Sequence, residues 1–220
     1  PTPAIHPLVD RPGERARLEA ALEIAARGQG GLVVLTGKPG VGKSWLVRQV
    51  LTSPTCPIPP DRVRWSSHRD ARGAATFSPW PVLLGPVVDG PPPSPTDGPP
   101  PIVLRLFELC REGPLALVLD DLDRVDGGSL RVLAALASTI AELPLFVVAT
   151  TCVEDAEASD GDATMRDAWV SLLGHRDVSR IELGPWSASD VECYASALLG
   201  SPPRAEDLRA LELVTQGNAH

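Results

Sequence analysis

The sequence predicts a three-layer α/β fold in which one parallel sheet is covered by helices on both faces. Three observations predict it. Five short runs are almost wholly apolar, helical periodicities lie between most of them, and a glycine-rich loop joins the first run to a helical pattern. Strands buried on both faces read as unbroken apolar runs, whereas a half-solvated sheet alternates. Such runs interleaved with helices make a doubly wound layer structure with right-handed crossovers the default.

The runs are "GLVVLT" (31–36), "RVRWS" (62–66), "LALVLD" (115–120), "LFVVATT" (145–151) and "SRIEL" (179–183). Ahead of the first, Leu18, Ala21, Leu22 and Ala25 fall at i, i+3, i+4 and i+7, the spacing of one helix face. Val103, Leu106, Phe107 and Cys110 repeat it before the third run, and Leu133, Leu136, Ala137 and Ile140 before the fourth. After the fifth run the pattern is purely helical. In "WSASDVECYASALLG", Ser187 is an N-cap with Asp190 three residues on, a capping box using Asp in place of Glu. Trp186 and Val191 take the staple positions, and Val191, Tyr194, Ala195 and Leu198 form the apolar stripe. A second helix is expected from about Ala205 to Thr215, stopping near Gly217. The expected organisation is a core, residues 1–184, followed by the start of a helical lid, 185–220. Pro1 and the closing "TQGNAH" both read as cut ends of a larger protein.

Residues 89–101, "DGPPPSPTDGPPP", are excluded from strand or helix interiors because proline removes a backbone donor and clashes with a continuing helix. They read as a stiff surface insertion rather than as a polyproline ligand. The acidic stretch from Glu154 to Asp162 lacks the alternating ligand order of a calcium loop and reads as solvated.

Composition narrows the function classes. With 220 residues, 43% of them apolar, the chain can bury one substantial core. A net charge of -8 with singly scattered arginines excludes a broad grip on a nucleic-acid backbone by this segment. Its apolar runs are too short to span a bilayer, and no charged-then-apolar leader opens it, so a cytoplasmic location without a membrane partner is expected. Cys56, Cys110, Cys152 and Cys193 form no C-x-x-C pair, and neither they nor His6, His68, His175 and His220 show metal-ligand spacing. Reduced thiols are expected.

The stretch "TGKPGVGKSWLV" (36–47) holds both lysines of the chain; its other 18 basic residues are arginines. Gly37, Gly42, Lys43 and Ser44 satisfy G-x-x-x-x-G-K-S/T, between a strand and a helix. Gly37, Gly40 and Gly42 let the backbone turn without a side chain in the way, so successive N–H groups and the helix N-terminus face an anion. The loop Gly37, Lys38, Pro39, Gly40, Val41, Gly42, Lys43 and Ser44, with Trp45 in the first helical turn, is therefore expected to hold the phosphates of ATP or ADP. Lys43 is the catalytic cation: a compact ammonium on a flexible stem reaches into a folded loop where a planar guanidinium does not fit. Lys38 is expected to be exposed. Ser44 is expected to place its hydroxyl on Mg²⁺.

The second half of the expected site is "LALVLDDLDRVD" (115–126). A buried strand ending in two acids delivers carboxylates to the sheet edge where parallel sheets bind ligands. Asp120 is expected to hold Mg²⁺, and Asp121 to orient or polarise the attacking water. Asp123 reads as part of a solvated turn, and Asp126 as the cap of a helix beginning near Ser129.

With these pieces in order the chain resembles the STAND-type branch of AAA+ ATPases. More narrowly, it is similar to the ATPase module of large bacterial LuxR-type and related transcription regulators, the Orc-like AAA domain. The resemblance rests on "PLVDRPGERARLEAAL", "GLVVLTGKPGVGKSWLV", "LALVLDDLDRVDGGSLRVLAAL", "PLFVVATT", "IELGPWSASDV" and "TQGNAH". It implies a P-loop NTPase fold with strand order 5-1-4-3-2, a partial helical lid, and a base contact near Val9 and Arg11. It also implies a nucleotide-operated switch within a longer protein, reaching DNA only through a domain outside this segment, with nucleotide-dependent self-association possible in such modules. The chain departs from the pattern at Asp10 (usually Gly), at Asp123 and Arg124 (commonly His-Trp), at Cys152 (often Arg, the phosphate sensor) and at Ala219 (usually Pro). Thr150 or Thr151 is an alternative sensor or simply the end of a strand. Arg166, Arg176 and Arg180 qualify as an arginine finger by location only, surface charge being the simpler reading. The leading expectation is a slowly hydrolysing regulatory switch. Its rivals are a ring-forming motor or loader on nucleic acid, a small-molecule kinase, and a non-hydrolysing nucleotide scaffold.

Overall fold

A computed structural model describes residues 11–67, 79–85, 101–152 and 163–215. Five parallel strands form one sheet: β1 (Gly31–Gly37), β2 (Val63–Ser67), β3 (Leu115–Asp120), β4 (Leu145–Thr151) and β5 (Val178–Leu183). Their order is β2-β3-β4-β1-β5, the expected 5-1-4-3-2 seen from the other edge. Register aligns the C-terminal ends of the three central strands: Leu35 of β1 pairs Thr150 of β4, and Leu119 of β3 pairs Ala149. Those ends converge on one rim.

The apolar runs are continuous because the sheet is buried on both sides. Leu32, Val34, Leu115, Leu117, Leu119, Leu145, Val147 and Ala149 enter one core. The intervening Val33, Leu35, Ala116, Val118, Phe146 and Val148 enter the other. Residues of α1 (Pro12–Ala26) and α2 (Lys43–Leu51) cover the second core. The first is covered by α3 (Pro79–Leu84), α4 (Pro101–Arg111), α5 (Gly127–Ala137) and α6 (Ala163–Leu173). The helix after β1 thus lies on the opposite face from the helix after β4, its neighbour in the sheet. The crevice at the C-terminal ends of two such strands is where open α/β sheets bind ligands.

Element ends follow local chemistry. Asp126 caps α5, its carboxylate accepting from the Ser129 N–H at 2.9 Å, so that cap role is confirmed and the helix opens at Gly127. Arg62, in a single 3₁₀ turn before β2, donates to the carbonyls of Leu109, Gly113 and Pro114. These bonds tie the end of α4 and the turn after it to the approach to β2. Gly30, just before β1, sits against backbone: a Cβ there would lie 2.3 Å from the Ile140 carbonyl oxygen, 2.5 Å from that of Leu143 and 2.6 Å from that of Leu145. Three carbonyls on two elements cannot all give way. Gly30→Ala is expected to destabilise the fold by about 3 kcal/mol, lowering the thermal midpoint by roughly 10 °C, as calorimetry will read.

Some expectations need correction. The sequence pattern extends the proline-rich stretch through residue 101, but Pro101 is the first residue of α4, where its missing N–H and fixed φ are tolerated. Residues 89–100 lie outside the described residues, as does the acidic stretch 154–162. Helices α3 and α6 add to the elements that the sequence pattern predicts. Beyond β5, α7 (Ala188–Leu199) and α8 (Ala205–Thr215) follow the expected pattern, with the Ser187–Asp190 capping box formed in both directions. Trp186 packs its ring against Tyr194, with centroids 5.0 Å apart. The apolar stripe of α7 stops early: Val191 and Ala195 are buried, but Leu198 is 56% exposed.

The four cysteines are free thiols. Burial pushes the Cys110 thiol up to about 11, partly offset by the Arg62 guanidinium, so it behaves as a packing residue rather than a nucleophile. Among the described residues no helix is long and apolar enough to cross a membrane.

Candidate functional site

The rim where β1, β3 and β4 end carries the glycine-rich loop. From Gly37 the chain passes exposed Lys38 and Pro39, turns at Gly40 (φ 78°), and buries Val41 under the loop. The turn closes with the Val41 N–H on the Lys38 carbonyl at 3.3 Å. Gly42 is the N-cap of α2 in the left-handed conformation (φ 100°, ψ 18°), a backbone state that a side chain would oppose. Lys43 and Ser44 therefore stand in the first turn of the helix, where unpaired N–H groups and the positive dipole end face outward. No acidic side chain occupies that turn to neutralise it.

Lys43 is 6% exposed, an unusual burial for lysine. Its ammonium donates to the Gly37 carbonyl at 2.7 Å and the Lys38 carbonyl at 3.0 Å, and lies 3.7 Å from the Cys152 sulfur. The loop wraps the ammonium from below, fixing it at the base of the cradle. A charged donor with two good oxygen partners tolerates this burial.

Ser44 and Asp120 meet across the rim. The Ser44 hydroxyl donates to Asp120 Oδ1 at 2.6 Å, although the residues are 76 positions apart. Asp120 is 3% exposed, and the same oxygen accepts from the Thr150 hydroxyl at 2.6 Å. Two adjacent hard oxygens, one of them a carboxylate, suit Mg²⁺, which keeps several waters and takes few protein ligands. Among the described residues no group of three or more His, Cys, Asp or Glu side chains forms a metal cage. A site completed by water and phosphate oxygens needs none.

Asp121 follows β3 in the left-handed conformation, φ 60° and ψ 55°, with its N–H donating to the Thr150 hydroxyl at 3.0 Å. Asp123 corrects an expectation. Its carboxylate is only 5% exposed and accepts from the Cys152 N–H at 3.2 Å, so it stitches the β3–α5 turn to the end of β4 instead of sitting in solvent. Spacing along the chain gives no hint of this, because its partner lies on another strand.

Arg11 lies beside the same loop. Its guanidinium donates to the Gly184 carbonyl at 2.8 Å and the Val41 carbonyl at 3.4 Å, joining the segment after β5 to the loop. Gly37 is packed equally close to that side: a Cβ on it would lie 2.6 Å from the Leu183 carbonyl oxygen. Trp45 is half-buried in the first turn of α2. Val9 and Asp10 lie outside the described residues, as do Gly217 and Ala219. Arg166, Arg176 and Arg180 are exposed, Arg176 pairing with Asp177 at 3.4 Å. Neither threonine at the end of β4 is a free donor: the Thr151 hydroxyl is turned to the Cys152 carbonyl at 3.4 Å and the Thr150 hydroxyl to Asp120.

The arrangement is an anion cradle with one buried cation, beside a pair of acids that begins with a buried carboxylate. The AAA ATPase domain matches residues 7–148. No curated protein matches. Among solved structures the chain is similar to Cdc6p from Pyrobaculum aerophilum, with a TM-score of 0.54 and 17% identity over 89% of this chain and 52% of that one. It is also similar to a signal transduction ATPase with numerous domains, a STAND protein with a tetratricopeptide repeat sensor from Pyrococcus horikoshii. There the TM-score is 0.58 and the identity 15%, over 99% of this chain and 29% of that one. The chain spans about half the length of the first structure and under a third of the second. At such identities the likeness shows the P-loop NTPase fold alone. The family match is broader in consequence, since it runs from before α1 through the cradle and the paired acids into β4: the chain belongs to the AAA ATPase domain family.

Proposed function

We propose that the chain is a nucleotide-operated switch: it binds ATP with Mg²⁺, hydrolyses it slowly, and passes the change to other domains of a cytoplasmic, signal-responsive transcription regulator. The observation that carries this is the convergence, on one rim, of the Lys43 ammonium, the Ser44–Asp120 pair and Asp121. Backbone N–H groups of the loop and of the first turn of α2 would cradle the phosphates, with Lys43 supplying the positive charge. Ser44 and Asp120 would hold Mg²⁺, which neutralises charge developing on the phosphate oxygens. Asp121 would accept a proton from the attacking water as its oxygen bonds to the terminal phosphorus. The bond from that phosphorus to the bridging oxygen breaks, leaving ADP and phosphate.

The switch part rests on the root of α7. Gly184 opens the segment leading to α7, and Arg11 ties its carbonyl to the loop carbonyl of Val41. A change in the loop is thus felt where the two-helix segment begins, which is how we read it as a lid. The STAND structure, which carries a repeat sensor, supports placing such a module in a longer signalling protein. DNA would be reached only through another domain. Slow turnover is supported by Cys152 in the position that the family resemblance gives to a sensor arginine, and by the exposure of Arg166, Arg176 and Arg180.

Steady-state turnover with Mg-ATP is expected at roughly 10⁻³ per second or slower, the range of switch NTPases without an activating arginine. Amide exchange over 185–199 is expected to differ between a non-hydrolysable ATP analogue and ADP. Identical exchange in both states would contradict the switch; rapid turnover in an ATP-dependent ring would favour a motor.

A further inference from the structure

The strand end that the family resemblance associates with phosphate sensing does something else in this chain. We propose that Thr150 is a positioning residue for hydrolysis, its single hydroxyl fixing both the metal-side carboxylate of Asp120 and the backbone of Asp121. The inference rests on the reading of Asp121 as the group that receives the proton of water.

Thr150 is fully buried near the end of β4, between β3 and β1 in the sheet. A hydroxyl has one proton and two acceptor lone pairs. Here the proton goes to Asp120 Oδ1 at 2.6 Å, and the oxygen accepts the Asp121 N–H at 3.0 Å. One side chain thus grips two consecutive residues, the last of β3 by its carboxylate and the next by its peptide. With its proton committed to Asp120 and no surface exposed, the hydroxyl cannot also report a phosphate.

The grip on the peptide matters because of where Asp121 sits. It is the only non-glycine residue at positive φ among the described residues. Aspartate enters that region more readily than most side chains, yet the conformation still needs surrounding structure to hold it. The Asp121 N–H lies on the peptide plane whose rotation sets φ at that residue. Anchoring the N–H on Thr150 therefore holds the turn that ends β3, and with it the left-handed backbone of Asp121. The grip on the carboxylate acts in parallel: Ser44 and Thr150 donate to the same oxygen from opposite neighbours, leaving Asp120 little freedom to rotate. Two residues on, the Cys152 N–H bonds Asp123, so the turn is pinned to β4 at a second point and cannot swing away as a unit.

The residue type fits both demands. A β-branched side chain suits a central strand and has few rotamers, and threonine adds the hydroxyl to that shape. Thr150→Val keeps the shape and removes the hydroxyl; Thr150→Ser keeps the hydroxyl and removes a methyl.

The test uses two readouts on wild type and on the valine, serine and alanine variants. In Thr150→Val, kcat is expected to fall about 100-fold, the scale of a small misplacement of a reacting group, with KM within about threefold. In the nucleotide-free protein, exchange of the Asp121 amide is expected to accelerate at least about tenfold, since its acceptor is gone. Thr150→Ser is expected to restore both. If valine beside a buried carboxylate prevents folding, the alanine variant reads the same loss against serine. Wild-type turnover in the valine or alanine variant overturns the positioning role, as does a fall in kcat with the Asp121 amide still protected or a failure of serine to rescue. A wild-type protein that binds Mg-ATP but never turns it over overturns the hydrolytic reading instead, and the positioning role with it.

Discussion

Lys43→Ala is expected to remove measurable nucleotide binding. The ammonium is the one cation built into the base of the loop, and charge-assisted hydrogen bonds contribute roughly 1.5–3 kcal/mol each. Losing two such bonds to phosphate amounts to about 4 kcal/mol, or roughly a thousandfold in Kd. Titration calorimetry with Mg-ATP and with ADP reads this directly. Lys43→Arg separates charge from shape: it keeps the cation but places a planar, forked group where the carbonyls of Gly37 and Lys38 close around a compact one. Binding by the arginine variant is expected to be nearly as weak as by the alanine variant. Wild-type affinity in Lys43→Ala would remove the loop from its assigned role.

Asp121→Asn is expected to bind nucleotide as the wild type does while losing hydrolysis. Asparagine has the same shape and, like aspartate, enters the left-handed region at φ 60° more readily than most residues, so the turn survives. It cannot accept the proton that water releases. Loss of a positioned general base lowers kcat by about 10² to 10⁴, with KM nearly unchanged. Single-turnover measurement of phosphate release reads the chemical step without interference from product dissociation. Unchanged release would mean that Asp121 shapes the turn without taking part in the reaction.

Much of this was legible because the signals are local. Five strands announce themselves as apolar runs for a single physical reason: two hydrophobic cores, one on each face, leave no solvent side to alternate with. The cradle is legible because its glycines, lysine and serine fall within one short stretch, 37–44, between a strand and a helix. Asp126 and the Ser187–Asp190 box are likewise short-range chemistry. What escaped is long-range. Asp123 looks like a surface acid until Cys152, 29 positions on, brings its N–H to it. Thr150 is ambiguous in sequence, a strand residue or a sensor, and only its contact with Asp120 across the β3–β4 pair decides its job. Arg11 meets Gly184 from 173 positions away. Leu198 continues a helical stripe on paper, yet the core that buries Val191 and Ala195 does not extend that far.

The central claim is that the loop from Gly37 to Ser44 wraps a nucleotide's phosphates, with Lys43 beneath them and the Ser44–Asp120 pair beside the metal. A crystal structure with Mg²⁺ and a non-hydrolysable ATP analogue tests it most directly. The account requires phosphate oxygens on the loop N–H groups and on the Lys43 ammonium, with Mg²⁺ between the terminal phosphates and Ser44. A nucleotide bound elsewhere on the chain, or a Lys43 ammonium still turned wholly to the Gly37 and Lys38 carbonyls with no phosphate upon it, would contradict it.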